Sequence, residues 1–326
     1  MAVTLSDVRA NTQDALCAQV IDEFRKSSFL LDNMIFDDAV SPVGGGASPT
    51  YSYTRVSTQP TASSRALNAE YAPQEAKKER VFVDLKVLGG AFEIDRVLAG
   101  MGGIVDEVQF QMQQKIKAVQ ALFADMVING DSSVNPTGFD GLSKALAYSN
   151  TECFDSDYGD AFDLSSSAAV DKNYMGFLDA LDEMLCCLDG APSCILGNTQ
   201  MIAKLRACAR RAAMYQTTKD DWGRQVEMYG NVPIVDLGAK AGSNVPIIGN
   251  VMQDGILKTD LYIVRLGLDG LHGVSMSGES PIKTFLPDFS TPGAVKKGEV
   301  EMVSAIALKN QYAAAVMRGI HVWANA

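Results

Sequence analysis

The residue types able to do chemistry are scarce in this chain, and their spacing matches no catalytic or metal-binding pattern. There are two histidines, His272 and His321, far apart in sequence. Neither sits in an H-E-x-x-H motif, and no Cys/His set has zinc-site spacing. A histidine could activate a serine, but no G-x-S-x-G elbow accompanies either one. The six cysteines, Cys17, Cys153, Cys186, Cys187, Cys194 and Cys208, form no C-x-x-C pair and read as small buried hydrophobes. Asp155, Asp157, Asp160 and Asp163 have the composition of a calcium loop without its order, because Gly159 takes the fifth place and Ser166 the twelfth. They read as a solvated acidic loop. The glycine-rich stretches fail as phosphate cradles. Gly44, Gly45 and Gly46 lie between Pro42 and Pro49 and read as a joint. Gly100, Gly102 and Gly103 precede a helix, but Val105 holds the third fingerprint position. Residues 293–299 lack a Lys-Ser/Thr ending. No catalytic residue, cofactor or metal is expected.

With chemistry set aside, composition defines what the chain can build. Its 326 residues are 47% hydrophobic and 21% charged, and 28 basic against 39 acidic residues give a net charge of -11. A chain of this size buries roughly three quarters of its unfolded surface, enough for about two domains with real cores. No apolar run reaches the length of about 18 residues that a membrane span needs. The start, Met1 to Ser6, lacks a basic-then-apolar leader pattern, so a cytosolic chain is expected. The basic clusters are small: Lys77, Lys78 and Arg80; Arg206, Arg210 and Arg211; Lys296 and Lys297. They suit solvated faces or protein contacts, not a groove that neutralises phosphates.

Periodicity supplies the elements. Leu5, Val8, Leu16, Val20 and Phe24 make residues 5–26 an amphipathic helix. Residues 51–56 read as one strand, and Val81, Val83, Leu85 and Val87 make 81–88 a second. About two dozen polar residues, with Pro60 and Pro73, lie between them, too many for an internal loop of a compact domain. A long projecting hairpin accounts for this. An isolated two-stranded ribbon is marginal in water and needs another surface. Residues 104–128, with Val105, Val108, Met112, Ile116, Val119, Phe123 and Met126 at spacings of three or four, form a long helix stopped by Asn129-Gly130. A turn at Asn135-Pro136-Thr137-Gly138 follows. Helices are expected at 167–188 and from the Asn198 cap to 213, around a short strand at 193–196. Residues 217–225, with Asp220, Asp221 and Trp222, read as a polar loop. Strands are expected at 232–237, 245–250, 261–266, 282–286, 300–308 and 313–323, the last two as a hairpin around Lys309-Asn310.

This order of parts resembles the tailed-bacteriophage major capsid proteins, the Hong-Kong-97-type fold, over about residues 51–322. The local matches are INGDSSVNPTGFDGL (128–142), YGNVPIVDLG (229–238), TDLYIVRLGLDGLHGV (259–274) and AAAVMRGIHV (313–322). The resemblance implies an α+β chain with an N-arm (1–50), an extended E-loop hairpin (51–92) and a P-domain with a long spine helix (93–139). An α/β A-domain (140–275) and P-domain sheet completion (276–326) follow. It implies a non-enzymatic shell protein that assembles into pentamers and hexamers of an icosahedral head in the bacterial cytoplasm. Itself, a separate scaffolding protein, a portal, a decoration protein and packaged double-stranded DNA, bound without sequence specificity, are its implied partners.

Arg65, Lys77, Lys78 and Arg80 on the hairpin, and Asp220, Asp221 and Trp222 on the polar loop, are the candidate assembly contacts. Some relatives crosslink a hairpin lysine to a C-terminal asparagine. Here residues 58–72 hold no lysine, Lys77 and Lys78 lie on the return arm, and Asn310 and Asn325 are the candidate acceptors, so no crosslink is expected. An encapsulin-type shell around a cargo protein shares the fold and is the alternative.

Overall fold

A computed structural model describes residues 29–40, 49–101, 106–213, 216–219, 225–277 and 281–324. The amphipathic segment 5–26, the joint at Gly44–Gly46, the tripeptide Asp220, Asp221 and Trp222, and Asn325 lie outside the described residues. Two sheets and one two-stranded ribbon organise the described residues.

The first sheet has five strands. The long strand Val295–Leu308 runs through it, pairing with Lys86–Asp95 and Ile282–Phe285 through its first part and with Leu271–Met276 through its last. Phe36–Val40 adds a parallel edge beside Leu271–Met276. Two glycines here have a packing reason. A Cβ on Gly273 would meet the Phe36 ring at 2.5 Å, and one on Gly298 would meet Phe92 at 2.5 Å, so each glycine leaves room for an aromatic ring lying across the neighbouring strand.

One face of this sheet packs on the helix Glu107–Asn129. Its start is set by Asp106, whose Oδ1 accepts from the amides of Val108 and Gln109 at 2.9 and 3.3 Å. The helix therefore begins later than its apolar repeat predicts. It ends at Asn129-Gly130 as expected, with Gly130 at φ -58°. This glycine is needed for close approach, since a Cβ there would meet the Phe139 carbonyl oxygen at 2.3 Å, and Gly141 donates to the Gly130 carbonyl at 2.8 Å. The turn that follows is as expected, with the Gly138 amide donating to the Asn135 carbonyl at 2.9 Å. Phe123, fully buried, meets Phe36 and Phe139, each at 6.0 Å between ring centroids.

The second sheet has eight strands centred on Ile256–Val264. Its antiparallel neighbours are Ala314–Ala324, Cys194–Gly197 and Asn250–Gln253. Val232–Asp236 runs parallel to Cys194–Gly197, and Glu152–Phe154 parallel to Ala314–Ala324. The helices Ser167–Cys186 and Thr199–Arg211 contribute to a core of their own with this sheet. Phe177, Leu178, Leu181 and Met184 are buried as their spacing predicts. Asn198 caps the second helix by accepting from the Met201 amide at 2.8 Å.

Several expectations are corrected. Residues 300–308 and 313–323 do not form a hairpin. The chain leaves the first sheet at Leu308, turns through Gln311–Ala313 and enters the second sheet at Ala314, so its last strand pairs with Ile256–Val264. Of residues 276–326, then, the strands 282–285 and 295–308 belong to the first sheet and 314–324 to the second. Residues 81–88 are not one strand either: Lys77–Asp84 belongs to the ribbon and Lys86–Asp95 to the first sheet, with Leu85 as the link. The run 245–249, expected as part of a strand, is instead a loop whose Ile247 and Ile248 plug the core while Val245 is exposed. Side-chain amides of Asn129 and Asn198 donate to the carbonyls of Ile247 and Ile248 at 2.7 and 3.1 Å. Residues 216–219 and 225–229 are paired strands, where a polar loop was expected from 217 to 225.

Candidate assembly surfaces

The ribbon is built from Thr50–Thr58 and Lys77–Asp84. Alternation gives it two unlike faces. Tyr51 and Val83, Tyr53 and Val81, and Arg55 and Glu79 are opposed on one face. That face is seated on the outer side of the first sheet. The Tyr51 hydroxyl donates to Asp37 Oδ2 at 2.8 Å, and the Tyr53 hydroxyl donates to the Leu308 carbonyl at 2.8 Å. Val40, Tyr51, Leu85, Val274 and Ala307 form a small cluster of their own there. Burial raises the phenol pKa of both tyrosines above the ordinary value.

The other face carries Ser52 and Phe82, Thr54 and Arg80, and Val56 and Lys78. Val56 and Phe82 are exposed at 56% and 62%. Beyond the strands, residues 59–76 run out with no helix or strand, and Leu67 at the tip is 94% exposed. Local bonds shape the tip. Thr61 donates through both its amide and its hydroxyl to Gln74 Oε1, at 2.8 and 2.7 Å. Arg65 donates to the Ala69 carbonyl at 2.9 Å and lies 5.4 Å from the Tyr71 ring centre.

The sequence-selected basic residues therefore share one element, with different surroundings. Arg80 bonds Ser52 Oγ at 2.8 Å and lies over Phe82 at 5.1 Å. Lys77 and Lys78 are exposed on the return arm. The other basic clusters are tied down nearby: Arg206 pairs with Glu227, Arg211 with Asp171, and Lys296 donates to Thr291 and Pro292. Sequence reasoning missed Phe82 and Val56 as surface groups, because an alternating apolar strand looks the same whether one face or both are covered.

The remaining chemistry-bearing groups serve the fold. Asp155 pairs with Lys258 at 2.6 Å, Asp160 with Lys172 at 2.8 Å, and Asp163 accepts from Ser165 Oγ at 2.6 Å. Among the described residues no cluster of three or more His, Cys, Asp or Glu is arranged to hold a metal ion. Arg318 joins Glu152, Asp260 at 3.3 Å and the Ser143 carbonyl at 2.7 Å, in a network that links the middle of the last strand to its neighbours. Burial raises the Asp260 pKa against the opposing pull of the Gly319 amide and Arg318. No helix among the described residues is long and apolar enough to cross a membrane.

No protein-family model matches the sequence, and no curated protein matches it. Solved structures do, along the full chain. The holo-SrpI encapsulin complex from Synechococcus elongatus PCC 7942 aligns with a TM-score of 0.61 at 15% identity, covering 100% of this chain and 99% of that one. The capsid of Myoviridae phage XM1 aligns with a TM-score of 0.58 at 9% identity, covering 94% and 96%. The capsid of the native GTA particle gives 0.55 at 12% identity, covering 99% and 100%. These structures share with this chain a two-sheet α+β body with a long helix and a two-stranded ribbon. The chain has the Hong-Kong-97-type capsid fold.

Proposed function

We propose that this chain is the major capsid protein of a tailed double-stranded DNA bacteriophage, assembling with copies of itself into pentamers and hexamers of an icosahedral head. The observation that carries the reading is the full-length likeness to the phage XM1 and GTA capsids. The half-seated ribbon supports self-assembly, because it exposes Val56, Leu67, Tyr71 and Phe82 with no core of its own beneath them. The ribbon plays the part of the E-loop. The first sheet with its helix plays the P-domain, and the second sheet with its two helices the A-domain. Arg65, Lys77, Lys78 and Arg80 contact neighbouring subunits from the ribbon. Asp220, Asp221 and Trp222 are kept as contacts near the rotation axes on sequence grounds alone. A separate scaffolding protein, a portal and a decoration protein complete the particle. Head-to-tail interfaces close into rings, and many modest contacts per subunit add up. The net charge of -11, if turned inward, limits adhesion of packaged DNA.

A second reading, an encapsulin-type shell around a cargo protein, is favoured by the TM-score of 0.61 to the SrpI encapsulin. Negative-stain microscopy of the expressed protein, with and without the scaffold, tests the shell itself. Monomers under every assembly condition sink both readings. The contents of purified native particles then separate them: genome-length DNA supports the capsid, a co-purifying enzyme the nanocompartment.

A further inference from the structure

We propose that His272 is an acid-sensitive latch under the ribbon: neutral, it keeps the ribbon seated on the first sheet, and protonated, it releases it. His272 has no exposed surface, and its Nε2 is buried without a hydrogen-bond partner. Its Nδ1 lies 3.4 Å from the Gly270 carbonyl oxygen, a long contact that one N–H can make. The ring meets Tyr51 edge-on at 5.9 Å, directly beneath the ribbon. A neutral imidazole can leave one nitrogen bare at modest cost. A second N–H, with a full charge, would sit at the buried Nε2, where it has no acceptor.

The charges around the ring are mixed. Lys309 stands 5.5 Å from the Tyr51 ring centre and 3.9 Å from Asp37. Asp37 on the edge strand accepts from Tyr51, and Asp269 in the preceding turn is paired with Arg265 at 2.8 Å. Both carboxylates attract a proton to His272, but each is already engaged by a cation. Burial first, and Lys309 second, hold the imidazole below its ordinary value of 6.5. The sign follows. The released or unfolded state binds the proton more readily, so the seated state is stable above about pH 6.5 and loses ground as pH falls below it.

The ribbon yields before the body because its seat is mostly a small cluster of its own, with Val83 alone of the ribbon also touching the main core. The groups that would be lost are the Tyr51 and Tyr53 hydroxyl bonds, this cluster and the Val83 contact.

Hydrogen–deuterium exchange on the full-length protein at about pH 7.5 and about pH 5, corrected for intrinsic rates, tests the latch. The expected result is that amides of 50–58 and 77–84 lose protection by up to roughly tenfold per pH unit, as uptake of one extra proton requires. Residues 107–129 keep theirs. His272→Phe and His272→Gln, each neutral at both pH values, should abolish the loss, and two variants guard against one that folds poorly. An acid response of equal size in a folded His272 variant, or none in the wild type, overturns the proposal. Asp37→Asn should keep the response; its disappearance there would move the titrating group to Asp37 and overturn it as well.

Discussion

The helix Glu107–Asn129 and the ribbon 50–84 are the two longest features of the subunit, and they are stabilised in opposite ways. The helix is 23 residues, roughly 35 Å at ~1.5 Å per residue. It is held along its length: Met112, Val119, Phe123, Val127 and Ile128 are buried against both sheets. The ribbon is held at its base only, through Tyr51, Tyr53 and Leu85, and then runs out with one face bare. One element is completed inside the subunit. The other leaves Val56, Leu67, Tyr71 and Phe82 exposed, and in the proposed shell a neighbour covers them. Mutations in the first should therefore be read in stability, and mutations in the second in assembly.

The strongest test of that division is Phe123→Ala. It empties a fully buried ring site between Phe36 and Phe139 and should cost about 3–5 kcal/mol. Chemical denaturation of the unassembled subunit reads this directly; a cost under about 1 kcal/mol would mean that the helix is not the centre of the core. Arg318→Ala should cost a similar or slightly smaller amount, about 3 kcal/mol or more. The Glu152 side chain, 5% exposed, loses its cation, and Asp260 loses a partner. Arg318→Lys should recover only part of it, because an ammonium cannot reproduce the fork onto Glu152, Asp260 and Ser143.

The cysteines sharpen the same inside–outside contrast without a mutation. Cys186 and Cys187 are exposed, while Cys153, Cys194 and Cys208 are buried. Burial pushes the thiol pKa of Cys153 and Cys194 up to about 12 and that of Cys208 to about 11. Alkylation at about pH 8 should label the exposed pair at least about a hundredfold faster than the buried three. Peptide mass spectrometry over a time course measures it. Rapid labelling of Cys194 in native protein would show that the second sheet opens.

Much of this was legible in the sequence, and the losses have identifiable causes. The long helix, the ribbon and the Asn198-capped helix each carry a local signal: a three-four repeat, two β-rich runs around a polar excess, and a cap residue. What failed was partner choice. Residues 300–308 and 314–324 are both rich in apolar residues, and nothing in either says that one belongs to each sheet. The alternation through Val81, Val83, Leu85 and Val87 hides the change of partner at Leu85. The plug at Ile247 and Ile248 looks like a strand because burial alone makes a run apolar. Its true fixing groups, Asn129 and Asn198, are more than 45 residues away in sequence, in elements set by other signals. The exposure of the ribbon's Arg65, Lys77, Lys78 and Arg80 follows from residue type, but that of Phe82 does not, since it depends on which face is seated.

The smallest expected change in stability belongs to the ribbon, and it is the most informative about function. Phe82→Ser removes a ring that is 62% exposed and lies under Arg80, so unfolding free energy should move by no more than about 0.5 kcal/mol. Removal of residues 58–72 goes further. It takes away the tip, including Leu67 and Tyr71, while the Tyr51 and Tyr53 anchors remain. A shortened loop closes at slightly lower entropic cost, so the subunit should fold at least as well. Yet if the bare face and tip are seated on neighbours, both variants should lose shells under conditions where the wild type makes them, the deletion more than Phe82→Ser. Sedimentation and negative-stain microscopy count the particles, and denaturation of the same samples checks the fold. Normal shells from the deletion would remove the ribbon from the interface. Collapse of subunit stability in Phe82→Ser would show instead that its outer face is packed within the subunit, and the contrast with the long helix would then fail.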